Sequence, residues 1–153
     1  MTASHTSASA SAEGLAWAQR LVRFNTISDQ SNLPLIECIA DHLRGLGIPM
    51  RLTYDDDKRK ANLFATLGAG KPGGVVLSGH TDTVPWEGQA WSMDPLSAEV
   101  RDARLYGRGS ADMKGYIGLV VPKKNVIDTV ELFIQRTHQD SAPEIVDCPF
   151  GLI

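Results

Sequence analysis

Two short segments of the chain combine residue types that could bind a metal ion. In the first, SGHTDTVP from Ser78 to Pro85, His80 and Asp82 follow directly after an apolar run. In an open α/β sheet, ligands bind at the carboxyl ends of strands, where a neutral imidazole is a natural zinc ligand. A carboxylate two positions later could orient the ring. The alternative is a histidine in a turn whose aspartate caps local backbone amides.

The second segment is YGRGSADMKG, which runs from Tyr106 to Gly115. Its glycines permit close backbone approach and unusual dihedral angles around a Ser-Ala-Asp turn ahead of a predicted helix. Asp112 falls at or near the start of that helix, so its carboxylate could cap the helix or bridge metal ions. A phosphate-binding loop is excluded, because the segment lacks the GxxxxGK[ST] order.

The elements that must position these residues are predicted from periodicity. Helical spacing covers Ala12 to Phe24 and Met113 to Val121, and a further helix opens at Pro34. The inward face of that helix is predicted to be Leu35, Ile36, Ile39, Ala40 and Leu43. Short apolar runs predict strands at Met50 to Tyr54, Asn62 to Leu67 and Gly74 to Ser78. We therefore predict an α/β domain with a covered, mostly parallel sheet.

The two segments, with WSMDPLSAEV between them, match a known family in order and spacing. From about Leu15 to about Val121 the chain resembles the acetylornithine deacetylase and succinyl-diaminopimelate desuccinylase family of zinc amidohydrolases. Thr83 and the aromatic Tyr116 are more similar to the deacetylase branch. The resemblance implies a zinc-peptidase-like catalytic domain, of which this chain holds the N-terminal part.

The resemblance also implies roles for three residues. His80 would be a zinc ligand, Asp82 the catalytic-site carboxylate that steers it, and Asp112 the bridge between two zinc ions, with cobalt as a possible substitute. The implied reaction is hydrolysis of an N-acyl amide, with N-acetylornithine giving ornithine and acetate in arginine biosynthesis. The alternatives are a related desuccinylase or aminoacylase, or a non-catalytic fragment. The implied partner is a small N-acyl amino acid, and family members are often homodimers.

Three segments are predicted along the chain: a disordered tail at 1–13, the catalytic-domain part at 14–121, and a divergent tail at 122–153. Asp128 to Thr137 could be helical in that last segment. The family takes its general base from a Glu-Glu pair, and no such pair occurs in this sequence. We therefore expect a truncated chain with an incomplete catalytic domain and an exposed sheet edge, and hence either poor solubility or dependence on a partner. Glu131, Glu144 and His138 are single residues in the divergent tail.

Composition narrows the function classes. The net charge is −3, and no basic stripe or apolar membrane segment is present, so the sequence indicates neither nucleic-acid nor membrane binding. We expect a cytoplasmic protein. Cys38 and Cys148 form no CxxC pair, and Cys38 is predicted to be a small buried apolar residue.

Overall fold

The computed structural model describes residues 6–68, 74–121 and 130–136. The predicted features at His138, Glu144 and Cys148 lie outside these residues. The elements in chain order are α1 (Thr6–Val22), α2 (Leu33–Gly45), β1 (Met50–Tyr54), β2 (Ala61–Leu67), β3 (Val75–His80), β4 (Glu99–Arg101), β5 (Arg104–Tyr106), α3 (Lys114–Val120) and β6 (Val130–Gln135).

A four-stranded sheet in the order β1-β2-β6-β3 forms the centre of the described structure. The α/β class is therefore confirmed, but the prediction of a mostly parallel sheet is confirmed only in part, because the described sheet is mostly antiparallel. β3 and β6 run parallel, whereas β1–β2 and β2–β6 are antiparallel pairs. For the first antiparallel pair the reason is local. Only residues 55–60 connect β1 to β2, and such a short connection reverses the direction of the chain. β6 then enters between β2 and β3 and matches the direction of β3 only.

The sheet is also less covered than the sequence predicts. β2 lies inside the sheet, and its side chains at Leu63 and Ala65 are fully buried. β3 lies at the edge of the described sheet, where Val75 and Val76 are 58% and 46% exposed. The apolar run GVVLS therefore predicts the strand correctly but not its burial, because an unbroken apolar run does not show which faces are covered.

The exposed edge leads to a first prediction. Val76→Lys is expected to slow aggregation, because a charged side chain on an edge strand opposes strand-to-strand pairing between molecules. The free energy of unfolding should change by no more than about 0.5 kcal/mol, as is usual for surface positions. Light scattering at constant protein concentration measures the first effect. Val100→Lys, at an exposed position in β4, is the control. Equal slowing by both variants would contradict an effect specific to the edge.

β6 comes from the segment predicted to be divergent. Residues 130–135 form a strand with buried Leu132, Phe133 and Ile134, so the helix suggested for Asp128 to Thr137 is wrong there. The sequence VELFIQ is rich in residues that fit a pleated sheet, and β2 and β3 supply hydrogen-bonding partners on both sides. The boundary at 121/122 stays a prediction, but part of the chain beyond it belongs to the sheet.

The helices pack against part of the sheet and confirm much of the periodicity. The buried residues of α2 are the predicted set, Leu35, Ile36, Ile39, Ala40 and Leu43. α1 begins at Thr6, so residues 6–13 of the predicted disordered tail are helical instead. The alanines in this run favour helix strongly enough to extend α1 toward the N-terminus. Among the described helices, none is both long and apolar enough to cross a membrane.

Candidate metal-binding site

His80 is the last residue of β3, and its backbone position is fixed by the parallel pairing with Gln135 of β6. The strand end lies close against α3. A Cβ atom added at Gly79 would be 3.0 Å from Ile117 and 3.3 Å from Tyr116. Because glycine permits this approach, α3 and the loop before it reach the end of β3. The chain then continues through the buried Thr81, Asp82 and Thr83.

The three residues that the resemblance singles out come together here. His80 Nδ1 lies 3.0 Å from Asp82 Oδ1, and His80 Nε2 lies 3.1 Å from Asp112 Oδ1. The His80 and Asp82 side chains are 16% and 4% exposed, whereas that of Asp112 is 86% exposed. The imidazole is therefore held between a buried carboxylate on one side and an open carboxylate on the other.

This geometry fits a zinc ion. With the proton of the neutral ring on Nδ1, donated to Asp82, Nε2 has a lone pair free to bind a metal. Two ligand atoms about 2.0–2.1 Å from a tetrahedral zinc are roughly 3.3 Å apart. The observed 3.1 Å between Nε2 and Asp112 Oδ1 is close to that separation. His80 and Asp112 thus form a donor pair of the right chemistry and spacing.

The alternative of Asp112 as a helix cap is not supported. The N-cap of α3 is Met113, and it has no side-chain capping hydrogen bond. The Asp112 carboxylate instead faces the His80 ring across the cavity. The Asp82 carboxylate contacts the His80 ring and the Ser28 hydroxyl.

The glycines of the second segment allow the loop its shape. Gly109 has a φ of +85°, and a Cβ atom at Gly115 would be only 2.0 Å from the backbone oxygen of Ser110. The peptide bond between Asp112 and Met113 is cis. Any side chain at Gly115 would therefore displace the turn that carries Asp112.

Lys114 holds this loop against the end of α1. Its side chain is fully buried, and its ammonium group donates to the carbonyl oxygens of Phe24 at 2.8 Å and Val22 at 3.3 Å. Burial lowers the pKa of Lys114 from 10.5 to about 8. These carbonyls lie at and just beyond the end of α1, where the helix dipole favours a cation. The end of α1 and the start of α3 are thereby joined directly.

A cavity of about 330 Å³ opens above the three residues. Its lining includes His80, Asp82, Thr83, Arg108, Gly109 and Asp112. The Arg108 guanidinium lies 5.0 Å from the centre of the Trp91 ring, and it donates to Gln89 Oε1 at 2.6 Å. Trp91 and Gln89 thus hold the positively charged Arg108 guanidinium in the cavity wall.

The donor set is partial in the described ranges. No group of three or more His, Cys, Asp or Glu residues within 6–68, 74–121 and 130–136 is placed to hold a metal ion. A structural zinc site has four ligands and a catalytic one commonly has three from protein. His80 and Asp112 can therefore contribute to a metal site but do not complete it.

Sequence reasoning missed several residues of the site. Ser28 contacts Asp82, and Lys114 holds the Asp112 loop, but neither was singled out. Asn32 bonds to both Ala61 and Thr81, linking the start of α2 to the residue after His80. Lys114 had a signal, because it lies in the same glycine-rich segment as Asp112. Ser28 and Asn32 had none, since polar residues between helices are expected in any loop.

The sequence matches place the chain in a known family. Residues 76–121 match the family model described as Peptidase family M20/M25/M40. The chain belongs to this family, as its match to longer family members shows. It is 42% identical over 106 residues to the acetylornithine deacetylase of Proteus mirabilis, covering 69% of this chain and 27% of that protein. The acetylornithine deacetylase of Pasteurella multocida is 41% identical over 105 residues, with 68% and 27% covered. The matched part thus spans about a quarter of these relatives.

Solved structures share the fold. Human carnosine dipeptidase 1 superposes with a TM-score of 0.67 at 22% identity, covering 81% of this chain and 32% of that one. The M20 family metallo-carboxypeptidase Sso-CP2 from Sulfolobus solfataricus gives 0.65 at 19% identity, covering 80% and 30%. At these identities the likeness concerns the fold alone.

Proposed function

We propose that this chain provides part of the metal site of an amidohydrolase that removes the acyl group from an N-acyl amino acid. The observation that carries the proposal is the alignment of Asp82, His80 and Asp112 at one cavity. Asp82 orients the imidazole, His80 offers Nε2 to a metal ion, and Asp112 offers an open carboxylate beside it. When bound, zinc would supply a Lewis acid for the amide carbonyl and lower the pKa of water.

N-acetylornithine is the proposed substrate, and two observations support it. The relatives at 42% and 41% identity are acetylornithine deacetylases. The family model matches residues 76–121, which include His80 and Asp112. Arg108 in addition places a fixed cation in the cavity wall, where it suits the carboxylate of an N-acyl amino acid. Two zinc ions, replaceable by cobalt, are the proposed metals. A cytoplasmic location and homodimeric assembly stay predictions.

A metal-binding part without turnover is the second candidate. It is favoured by the partial donor set, because the described residues hold fewer than three grouped ligands. The contact between Asp82 and His80, and the position of Arg108 in the cavity wall, would be the same for both candidates. The difference between the two candidates is whether acetate is released.

The test combines metal binding with turnover in the full chain. We expect the metal-free protein to bind zinc and to release acetate from N-acetylornithine when zinc or cobalt is added. His80→Ala and Asp112→Asn should each weaken zinc binding by more than about 10-fold, because each removes or neutralises a ligand. Asp102→Asn is the matched control, since Asp102 is exposed in the turn between β4 and β5.

The outcomes separate the candidates. Acetate release that is lost in His80→Ala supports the hydrolase. Zinc binding that depends on His80, without acetate release, supports the metal-binding part. Zinc affinity that is the same in the wild type, His80→Ala and Asp102→Asn would contradict both.

A further inference from the structure

The segment from Thr26 to Ser28, between α1 and α2, lies alongside the residues that follow His80. Thr83 N–H donates to Thr26 O at 2.9 Å, and Ser28 N–H donates to Thr83 O at 3.1 Å, as in a short parallel strand pair. The Thr26 hydroxyl also donates to Thr81 O at 2.6 Å. The segment after α1 is therefore fixed against the chain that carries Asp82.

Within this pairing, the Ser28 side chain reaches Asp82. Ser28 Oγ lies 3.0 Å from Asp82 Oδ2, while Asp82 Oδ1 lies 3.0 Å from His80 Nδ1. Ser28 Oγ is also 3.4 Å from Thr83 O, but a hydroxyl donates one proton, and the shorter contact to a charged acceptor is the stronger one. Each oxygen of the Asp82 carboxylate thus has its own donor.

The burial of Asp82 makes the second donor important. The side chain is only 4% exposed, and a buried carboxylate is costly unless hydrogen bonds satisfy it. A carboxylate held at one oxygen can rotate about its Cβ–Cγ bond, whereas one held at both is fixed. His80 Nδ1 lies 3.0 Å from Asp82 Oδ1 and 3.2 Å from the backbone oxygen of Asp82. A fixed Asp82 carboxylate therefore adds to the backbone contact in fixing the ring and in keeping its proton on Nδ1.

We infer that Ser28 is a positioning residue for the metal ligand His80 and acts through Asp82. This role rests on the proposed function, since it matters for catalysis only if His80 binds metal. The Ser28 hydroxyl holds Asp82, Asp82 holds the Nδ1 proton, and the Nε2 lone pair then faces Asp112. Asp112 Oδ1, 3.1 Å from Nε2, is the competing acceptor for the ring proton in the metal-free protein. Loss of the Ser28 hydroxyl weakens the hold of Asp82 and raises the share of the Nε2–H tautomer, which cannot bind metal through that atom.

The backbone of Ser28 is held independently of its hydroxyl. Its N–H donates to Thr83 O, and its carbonyl oxygen accepts a hydrogen bond from the Lys60 ammonium group. Removal of the hydroxyl therefore leaves the loop attached on both sides. This makes Ser28→Ala a test of the side chain rather than of the loop.

Three variants of the full chain test the inference. Ser28→Ala removes the hydroxyl, and Ser28→Thr restores one at the same atom. Ser31→Ala is the matched control, because Ser31 Oγ donates to Arg59 O at 2.5 Å in the same loop and does not contact Asp82. The first readout is the neutral tautomer of His80 in the metal-free protein, from long-range ¹H–¹⁵N correlation spectra at a pH where the ring is uncharged. The second is zinc affinity by competition with a chromophoric chelator.

We expect the share of the Nε2–H tautomer to be higher in Ser28→Ala than in the wild type, Ser28→Thr and Ser31→Ala, which should have equal shares. Zinc affinity should fall about 10-fold in Ser28→Ala alone, as for other partners of metal-bound histidines. An unchanged tautomer in Ser28→Ala would overturn the inference, as would an equal loss of affinity in Ser31→Ala. The tautomer is measured without metal, so it decides the role of Ser28 even if the wild type fails to bind zinc and the proposed function falls.

Discussion

Gly118→Ala is expected to lower the free energy of unfolding by about 3 kcal/mol, at the upper end of typical overpacking effects. A Cβ atom at Gly118 would lie 2.3 Å from the backbone nitrogen of Ala18 and 2.4 Å from its Cα. These are backbone atoms of α1, so no side-chain rotation relieves the clash. α1 and α3 would have to separate, and the buried contacts of Trp17, Leu21 and Ile117 would loosen with them.

Denaturant unfolding followed by circular dichroism measures this effect. Gly45→Ala is the matched control, because Gly45 is also a helix residue and a Cβ atom there meets nothing within 4 Å. That variant should be neutral or more stable by up to about 1 kcal/mol, as alanine has the higher helix propensity. If Gly118→Ala unfolded at the same denaturant concentration as Gly45→Ala, the close crossing of α1 and α3 would be refuted.

Lys114 is expected to make stability rise with pH between about 8 and 10.5. Burial lowers its pKa in the folded protein to about 8, whereas the unfolded side chain keeps the ordinary value of 10.5. Between these pH values the unfolded chain binds more protons, so the free energy of unfolding increases as the pH rises. The burial penalty is fully present below pH 8 and is relieved by up to about 3 kcal/mol near pH 10.5.

The contribution of Lys114 to this rise in unfolding free energy is isolated by comparison with a variant. Lys114→Met keeps a side chain of similar length but has no titrating group at this position. The free energy of unfolding of this variant should therefore lack the rise between about pH 8 and pH 10.5. Lys58→Met, at an exposed turn position, should retain it. Unfolding free energies at pH 7.5, 9 and 10.5 measure the difference, and these pH values are chosen to bracket the titration. Parallel pH profiles for the wild type and Lys114→Met would show that the folded-state pKa of Lys114 is not lowered.

Local signals in the sequence predicted the elements well. The spacing of Leu35, Ile36 and Ile39 is that of a helix with one apolar face, and this face is buried as predicted. Short apolar runs likewise located β1, β2 and β3 to within a few residues. These predictions succeeded because each depends on neighbours within one or two turns, which a single sequence displays.

The arrangement of the sheet could not be predicted in the same way. Strand order depends on β6, whose residues 130–135 were assigned to a divergent tail, and no local pattern shows that VELFIQ fits between two earlier strands. The extent of α1 was missed for a related reason. A Ser- and Ala-rich segment is compatible with a disordered tail or a helix, and the residues themselves do not decide between them.

The candidate site was predictable in part. The types and spacing of His80 and Asp82 suggested a ligand with its orienting carboxylate, and the structure places the two side chains 3.0 Å apart. For Asp112, a cap and a metal-facing carboxylate have the same local sequence, and only the contact with His80 favours the second. Ser28 could not be found, because its partner Asp82 is 54 positions away in the chain.

The insertion of β6 between β2 and β3 also constrains the order of folding during protein synthesis. β2 and β3 leave the ribosome early, but in the described sheet β3 pairs with β6 alone, about fifty residues later. Until those residues emerge, the strand that ends in His80 has no hydrogen-bonding neighbour in that sheet and presents its apolar side chains to other molecules. Such long-range pairing is slow, and unpaired strands in partly synthesised chains favour misassembly. The nascent chain is therefore most exposed to chaperones between the synthesis of β3 and that of β6.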